Sequence, residues 1–142
     1  STHPSNNDKG LNLTKLLAQG SFLMSGKELN KAYEIFSQII LTDPNWSEAW
    51  NKRATVLYLL GRYEQSQKDI DQVLKLEKRH FGALSGQGLV QVELKNYEKA
   101  INSYKEVQKI YRREQPANYQ HNRSLSPLKH LEPYSSRLPP SL

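Results

Sequence analysis

The stretch SEAWNKRATVLYLLGRYEQSQKDIDQVLKLEKRH, from Ser47 to His80, decides how the chain is read, because the residues that follow, FGALSGQGLVQVELKNYEKAINSYKEVQKIYRRE from Phe81 to Glu114, align with it without a gap. Carrying the same frame backwards gives a first row, from Leu13 to Trp46. Self-similarity at a fixed period of 34 residues points to stacked copies of one unit. Gly20, Ala54 and Gly88 share one column and Ala32, Ser66 and Ala100 another, so small residues recur where two helices must approach closely. Leu16, Trp50 and Leu84 share a column, as do Leu29, Tyr63 and Tyr97, and as do Phe36, Ile70 and Tyr104, placing large residues opposite the small ones.

Within each row the apolar spacing is helical. Leu29, Ala32, Tyr33, Phe36, Ile39 and Ile40 advance in steps of three and four, and Tyr63, Ile70, Val73 and Leu74 continue the stripe. Ser25-Gly26, Gly61 and Lys95-Asn96 break the rows near their middles, and Asp43-Pro44-Asn45 separates the first row from the second. Asn45 and Glu48 have the spacing of an N-cap pair for the helix that carries Trp50. Six helices are predicted, near 12–24, 28–41, 46–59, 63–76, 80–93 and 97–113.

A 34-residue period built as helix, turn, helix with these columns resembles the tetratricopeptide repeat family. The second row carries the resemblance best through Trp50, Ala54, Leu60, Gly61, Tyr63 and Val73, with Ser66 in place of the usual alanine and Lys78 in place of the usual proline. The third row keeps Leu84, Gly88, Leu94, Tyr97, Ala100 and Tyr104, with Lys95 replacing the turn glycine and Arg112 the proline; the first keeps Gly20, Ala32, Phe36 and Pro44. The stretch from Asn51 to Leu89 is similar to tetratricopeptide proteins of bacterial and organellar type. The resemblance implies an all-α, right-handed superhelical solenoid of three helix-turn-helix repeats, about 13–46, 47–80 and 81–114, in a domain spanning 11–114. A flexible segment, 1–10, is expected before it and a Pro-rich tail, 115–142, after it, disordered or extended.

The resemblance also implies a function, an interaction scaffold or adaptor that holds a peptide or helix of another protein in a concave groove lined by the first helix of each pair. The matching groove positions here are Leu17, Met24, Asn51, Thr55, Tyr58 and Leu89, with Leu17, Met24, Tyr58 and Leu89 as apolar anchors and Asn51 bonding the guest backbone. The family's carboxylate clamp, which grips chaperone C-termini with converging charged and amide donors, maps to Leu17, Ser21, Lys52, Gly82 and Gly86. Lys52 is the one such donor in that set, which argues against a chaperone-tail receptor.

Composition narrows the alternatives. With 37% hydrophobic and 24% charged residues the chain is globular in type, and no apolar run approaches the roughly 18 residues of a membrane span. Cysteine is absent, which removes disulfides, thiolate metal sites and cysteine nucleophiles. His3, His80, His121 and His130 lie in tails or at a row junction, without the spacing of a metal site, and read as solvated. Gly82, Gly86 and Gly88 lack the strand and the lysine of a phosphate loop and read as close-packing positions. No enzyme, cofactor or metal is expected. The net charge of +6 is spread among acids, as in Lys68 to Asp71 and Lys95 to Lys99. An RNA-binding repeat remains an alternative if Lys52, Arg53, Lys78 and Arg79 form one patch, as does a structural subunit of a larger complex.

Five of the seven prolines, Pro116, Pro127, Pro133, Pro139 and Pro140, follow Glu114, where helical periodicity stops. Leu125, Leu128, Leu131 and Tyr134 have the look of a segment that orders on a partner, and Ser126-Pro127 of a phosphorylation site. The last helix carries Ile101, Val107, Ile110 and Tyr111, more apolar residues than its inner side needs, so of the tail, a second copy and a partner as candidates to cover it, the tail from Leu125 to Tyr134 is expected to fold back, or be held by a partner, against this end. The chain opens on Ser1, as a processed form or an excised piece would, and the compartment stays open, with cytoplasm or an organelle interior favoured.

Overall fold

The computed structural model describes residues 6–115, which are helical throughout apart from short turns. The helices are α1 (Asn6–Ser25), α2 (Leu29–Thr42), α3 (Ser47–Leu59), α4 (Tyr63–Leu76), α5 (Phe81–Glu93) and α6 (Tyr97–Glu114). Five of the six match the predicted spans to within one residue at either end. The exception is α1, which starts at Asn6 and not near 12. Its first turns are polar and carry no periodic signal, yet nothing there stops a helix, and Thr14 Oγ1 donates to the Gly10 carbonyl at 2.9 Å. The tail residues Leu125, Leu128, Leu131 and Tyr134 and the Ser126-Pro127 pair lie outside the described residues.

The helix-turn-helix units are closed by one device used three times. Lys27, Gly61 and Lys95, the fifteenth residue of each row, all take a left-handed backbone, with φ of 63°, 78° and 64°. At each, the amide of the following residue reaches back to close the helix: Glu28 to Leu23 O at 2.9 Å, Arg62 to Leu57 O at 2.9 Å and Asn96 to Gln91 O at 2.8 Å. The first break thus falls one residue beyond Ser25-Gly26, and two of the three turns hold a lysine where glycine would be unstrained.

Between units the N-caps differ from the sequence reading. Trp46, with an extended backbone and no capping side-chain bond, is the N-cap of α3, so Asn45 stands one residue too early to cap it. The segment is held instead by the Trp50 indole N–H, which donates to the Pro44 carbonyl at 2.8 Å. At the next junction His80 is the cap, its Nδ1 accepting from the Ala83 amide at 3.0 Å.

The small columns have the predicted use. A Cβ at Gly20 would stand 2.5 Å from the Phe36 ring, and one at Gly88 2.5 Å from the Tyr104 ring. Phe36, Ile39 and Val56 are fully buried in one cluster that joins α1, α2 and α3; Ile70, Val73 and Val90 are at most 1% exposed in a second that joins α3, α4 and α5. Neither unit could bury these faces alone, which is why the stability of such a stack lies in its junctions.

Candidate functional site

The helices that open each unit lie beside one another, α1 against α3 and α3 against α5. Between α3 and α5 they enclose a small open pocket of about 60 Å³, lined by Asn51, Ala54, Thr55, Tyr58, Ser66, Ile70, Gly86, Leu89 and Val90. Four of the six predicted groove residues, Asn51, Thr55, Tyr58 and Leu89, therefore meet at one place. Leu17 and Met24 do not line it: both are half-buried against the first core cluster. The pocket exists because Gly86 contributes no side chain. A Cβ there would meet only the Ile70 Cδ1 at 3.7 Å, so Gly86 is an opening and not a close-packing site. Gly82 brings α5 near Asn51, whose Nδ2 would lie 3.2 Å from a Cβ at that position. Tyr58 serves two purposes, lining the pocket and packing on the Tyr63 ring at 5.7 Å between centroids.

Leu89, which lines the pocket, is about half exposed on α5, and Leu59 is equally exposed on α3. The positions where a carboxylate clamp would stand supply few donors. Ser21 Oγ is committed to the Leu17 carbonyl at 2.8 Å, Lys52 Nζ lies 4.0 Å from Glu48, and Leu17, Gly82 and Gly86 have no polar side chain to offer.

Arg53, which the sequence offered as part of a basic patch, and several amides that sequence reasoning did not single out are paired internally. Arg53 forms a two-pronged ion pair with Asp69, Nε to Oδ2 at 2.7 Å and NH2 to Oδ1 at 2.8 Å, while NH1 donates to Ser37 Oγ at 3.1 Å. The guanidinium also stands over the Trp50 and Tyr33 rings, 5.1 and 5.4 Å from their centroids. Hydrogen bonding to Asp69 pushes the Arg53 pKa up against the opposing effect of burial. Arg53 is thus an internal clasp, which removes it from the basic patch an RNA reader would need; Lys52 faces Glu48.

In the next repeat the equivalent residue is Gln87, and a chain of amides replaces the ion pair. Asn96 donates to Gln91 at 2.8 Å, Gln91 to Gln67 at 2.7 Å, Gln67 to Gln87 at 2.8 Å and Gln87 to Ser103 Oγ at 2.8 Å; Ser103 ends the run on the Lys99 carbonyl at 2.9 Å. Arg53 to Asp69 and Gln87 to Ser103 share a separation of 16 residues, the signal by which the sequence could have disclosed them. No buried side-chain nitrogen or oxygen among the described residues lacks a partner.

His80 is not solvated as expected. It is largely buried, with Nε2 3.8 Å from Glu48 and 3.7 Å from Glu77. Among the described residues no cluster of metal-ligating side chains is found and no helix is long and apolar enough to cross a membrane.

Comparison with known proteins bears on this geometry. The Tetratricopeptide repeat family matches at residues 47–80 and 82–114. A TPR repeat-containing protein of Rhizobium etli is 35% identical over 106 residues, covering 69% of this chain and 52% of its own length, so the chain spans about half of that relative. The Sgt2 TPR domain from Aspergillus fumigatus shares the fold with a TM-score of 0.69 at 20% identity, over 91% of this chain and 85% of that one. The second TPR of Spaghetti (RPAP3), bound to the HSP90 peptide SRMEEVD, does so with a TM-score of 0.65 at 19% identity, over 68% and 89%. With two adjacent repeats matched and a third row in the same frame forming the same helical pair, the chain belongs to the tetratricopeptide repeat family.

Proposed function

We propose that the face formed by α1, α3 and α5 binds an extended or helical segment of another protein, anchoring one aliphatic side chain of the guest in the pocket between α3 and α5. The observation that carries this reading is the pocket itself, where Asn51, Thr55, Tyr58 and Leu89 surround the space left by Gly86. A volume of about 60 Å³ suits the end of a Leu, Ile or Val side chain and is too small for a cofactor. Asn51, which lines it, supplies an amide that can pair with backbone groups of the guest, and the half-exposed Leu89 supplies an apolar rim. That a structural neighbour holds an HSP90 peptide supports peptide binding as a use of the fold. The ligand class differs here, because the converging donors that a terminal carboxylate requires are lacking.

Gly86→Leu tests the proposal, since it fills the pocket from a position whose Cβ has room. Capture of partners from native extract, read by mass spectrometry, should lose specific ligands on Gly86→Leu while circular dichroism and thermal melting stay unchanged. Retention of the same ligands by a folded Gly86→Leu protein would sink the assignment. Calorimetry with the peptide SRMEEVD in free and amidated forms should show no preference for the free carboxylate. A clear preference would place a clamp where none is expected.

A further inference from the structure

The structure also has a second uncovered face, at the far end of the stack and apart from the peptide-binding face. In the first two repeats the outer side of the second helix is covered by the repeat that follows. Phe36 and Ile70, the twenty-fourth residues of their rows, are 0% and 1% exposed, whereas their counterpart Tyr104 is 37% exposed. Tyr97 and Ile101, whose counterparts in the inner repeats are half-buried or buried, are 57% and 53% exposed. The apolar surplus of the last helix is therefore Tyr97, Ile101 and Tyr104, and not the set expected from sequence, since Ile110 is buried and Val107 and Tyr111 are half-buried.

We propose that this face of α6 is a docking surface for the same face of a second copy of the chain, the two α6 helices meeting antiparallel about a two-fold axis near Ile101. Charge selects this occupant. Glu98 and Lys105 flank the apolar stripe seven residues apart, two turns along one side of the helix, and both are exposed with no ion pair among the described residues. They are equidistant from an axis passing between Ile101 and Asn102. A two-fold there brings Glu98 of each copy opposite Lys105 of the other, giving two complementary pairs around an Ile101–Ile101 contact.

Head-to-tail stacking, in which α1 of a second copy takes the place of a fourth repeat, fits poorly. The side of α3 and α5 that receives the preceding repeat places Ala49, Ala83 and Val56, all fully buried, and Val90, which is nearly so. The same positions on α1 hold Lys15 and Phe22. A long cation and a larger ring stand where only small side chains fit, so α1 of a second copy does not suit the place of a fourth repeat's opening helix. Three large side chains per copy make a small interface, and the dimer is accordingly weak and concentration-dependent.

Sedimentation equilibrium of the full chain over rising concentration tests the proposal. The expected result is a reversible monomer–dimer equilibrium, with a Kd raised at least about tenfold by Ile101→Glu. Glu98→Lys and Lys105→Glu should each weaken the dimer, and the two changes combined should restore it to within about threefold of the original, because the swap recreates the pairs with their signs exchanged. Thermal melts of each variant check that the fold persists. A chain that stays monomeric throughout, as it would if residues 116–142 or a different protein occupied the face, overturns the proposal. So does a dimer indifferent to Ile101→Glu, a combined variant no stronger than the single ones, or a species that keeps growing beyond a dimer.

Discussion

The two junctions of this stack solve one packing problem with different chemistry. Where the second repeat meets the first, Arg53 is clasped by Asp69 and Ser37 and stands over the Trp50 and Tyr33 rings. Where the third meets the second, Gln87 stands in the same register and its own partners, the Gln67 amide and the Ser103 hydroxyl, are neutral, the run touching a charge only where Gln67 also donates to Asp71 Oδ1 at 3.0 Å. A clasp built on one charge concentrates its energy in a single side chain, and losing that chain leaves a buried carboxylate unpaired. A chain of mostly neutral bonds spreads its energy over several side chains, so no one member is decisive. The lesson is that a repeat conserves a geometric slot while leaving its chemistry free.

The largest expected effect comes from breaking the clasp. Arg53→Ala should destabilise the protein by about 3–5 kcal/mol in chemical denaturation, because the buried Asp69 loses its partner. Arg53→Met combined with Asp69→Leu should recover most of that loss, as both partners then become apolar. If Arg53→Ala alone is neutral, the clasp is ornamental. The Arg53 pKa is raised on folding, so the stabilisation that the guanidinium contributes is fully present below the ordinary arginine value and is lost only as pH rises through the raised one.

The glycine columns sharpen the same contrast between an inner and an outer repeat. Gly88→Leu should cost about 1–3 kcal/mol by driving Tyr104 aside. Gly20→Leu should cost more, since Phe36 is enclosed on all sides while Tyr104 can swing toward solvent. Equal losses by thermal melting would mean the open end of α6 is as rigid as the interior.

Gln91→Ala probes the neutral junction. It removes the donor to Gln67 and the acceptor for Asn96, and about 1–2 kcal/mol is expected, well below the effect at Arg53. A larger loss would show the amide run to be as concentrated as the ion pair. The smallest change is a gain: Lys95→Gly should stabilise by up to about 1 kcal/mol, because it relieves a left-handed lysine at the turn. Gly61→Lys, the reverse change at the equivalent turn, should cost a similar amount.

Much of this architecture was legible in the period and the columns. The opposition of Gly20 to Phe36 and of Gly88 to Tyr104 followed from alignment alone, because close helix contact restricts side-chain volume and the restriction recurs every 34 residues. The meeting of Asn51, Thr55, Tyr58 and Leu89 was also readable, since all four lie on one side of helices that the repeat sets side by side. Less legible was the role of Gly86, whose missing side chain makes a space only once α5 is placed against Ile70. The misreading of His80 has the same origin. Its position at a row boundary suggested solvent, whereas capping of α5 depends on backbone direction at the turn.

Helix number, helix order, turn positions and the small-to-large columns were determined by the sequence itself, because each rests on local periodicity or on volume limits that repeat along the chain. Tertiary structure alone decided which polar residues became internal. Arg53 and Lys52 are adjacent basic residues, and nothing local tells them apart. A rotation of about 100° per residue along α3 turns one toward Asp69 and Ser37 and the other toward Glu48. The amide run from Asn96 to Ser103 was decided in the same way, since its members come from α4, α5, α6 and a turn, and hydrogen bonding depends on distances that only packing sets.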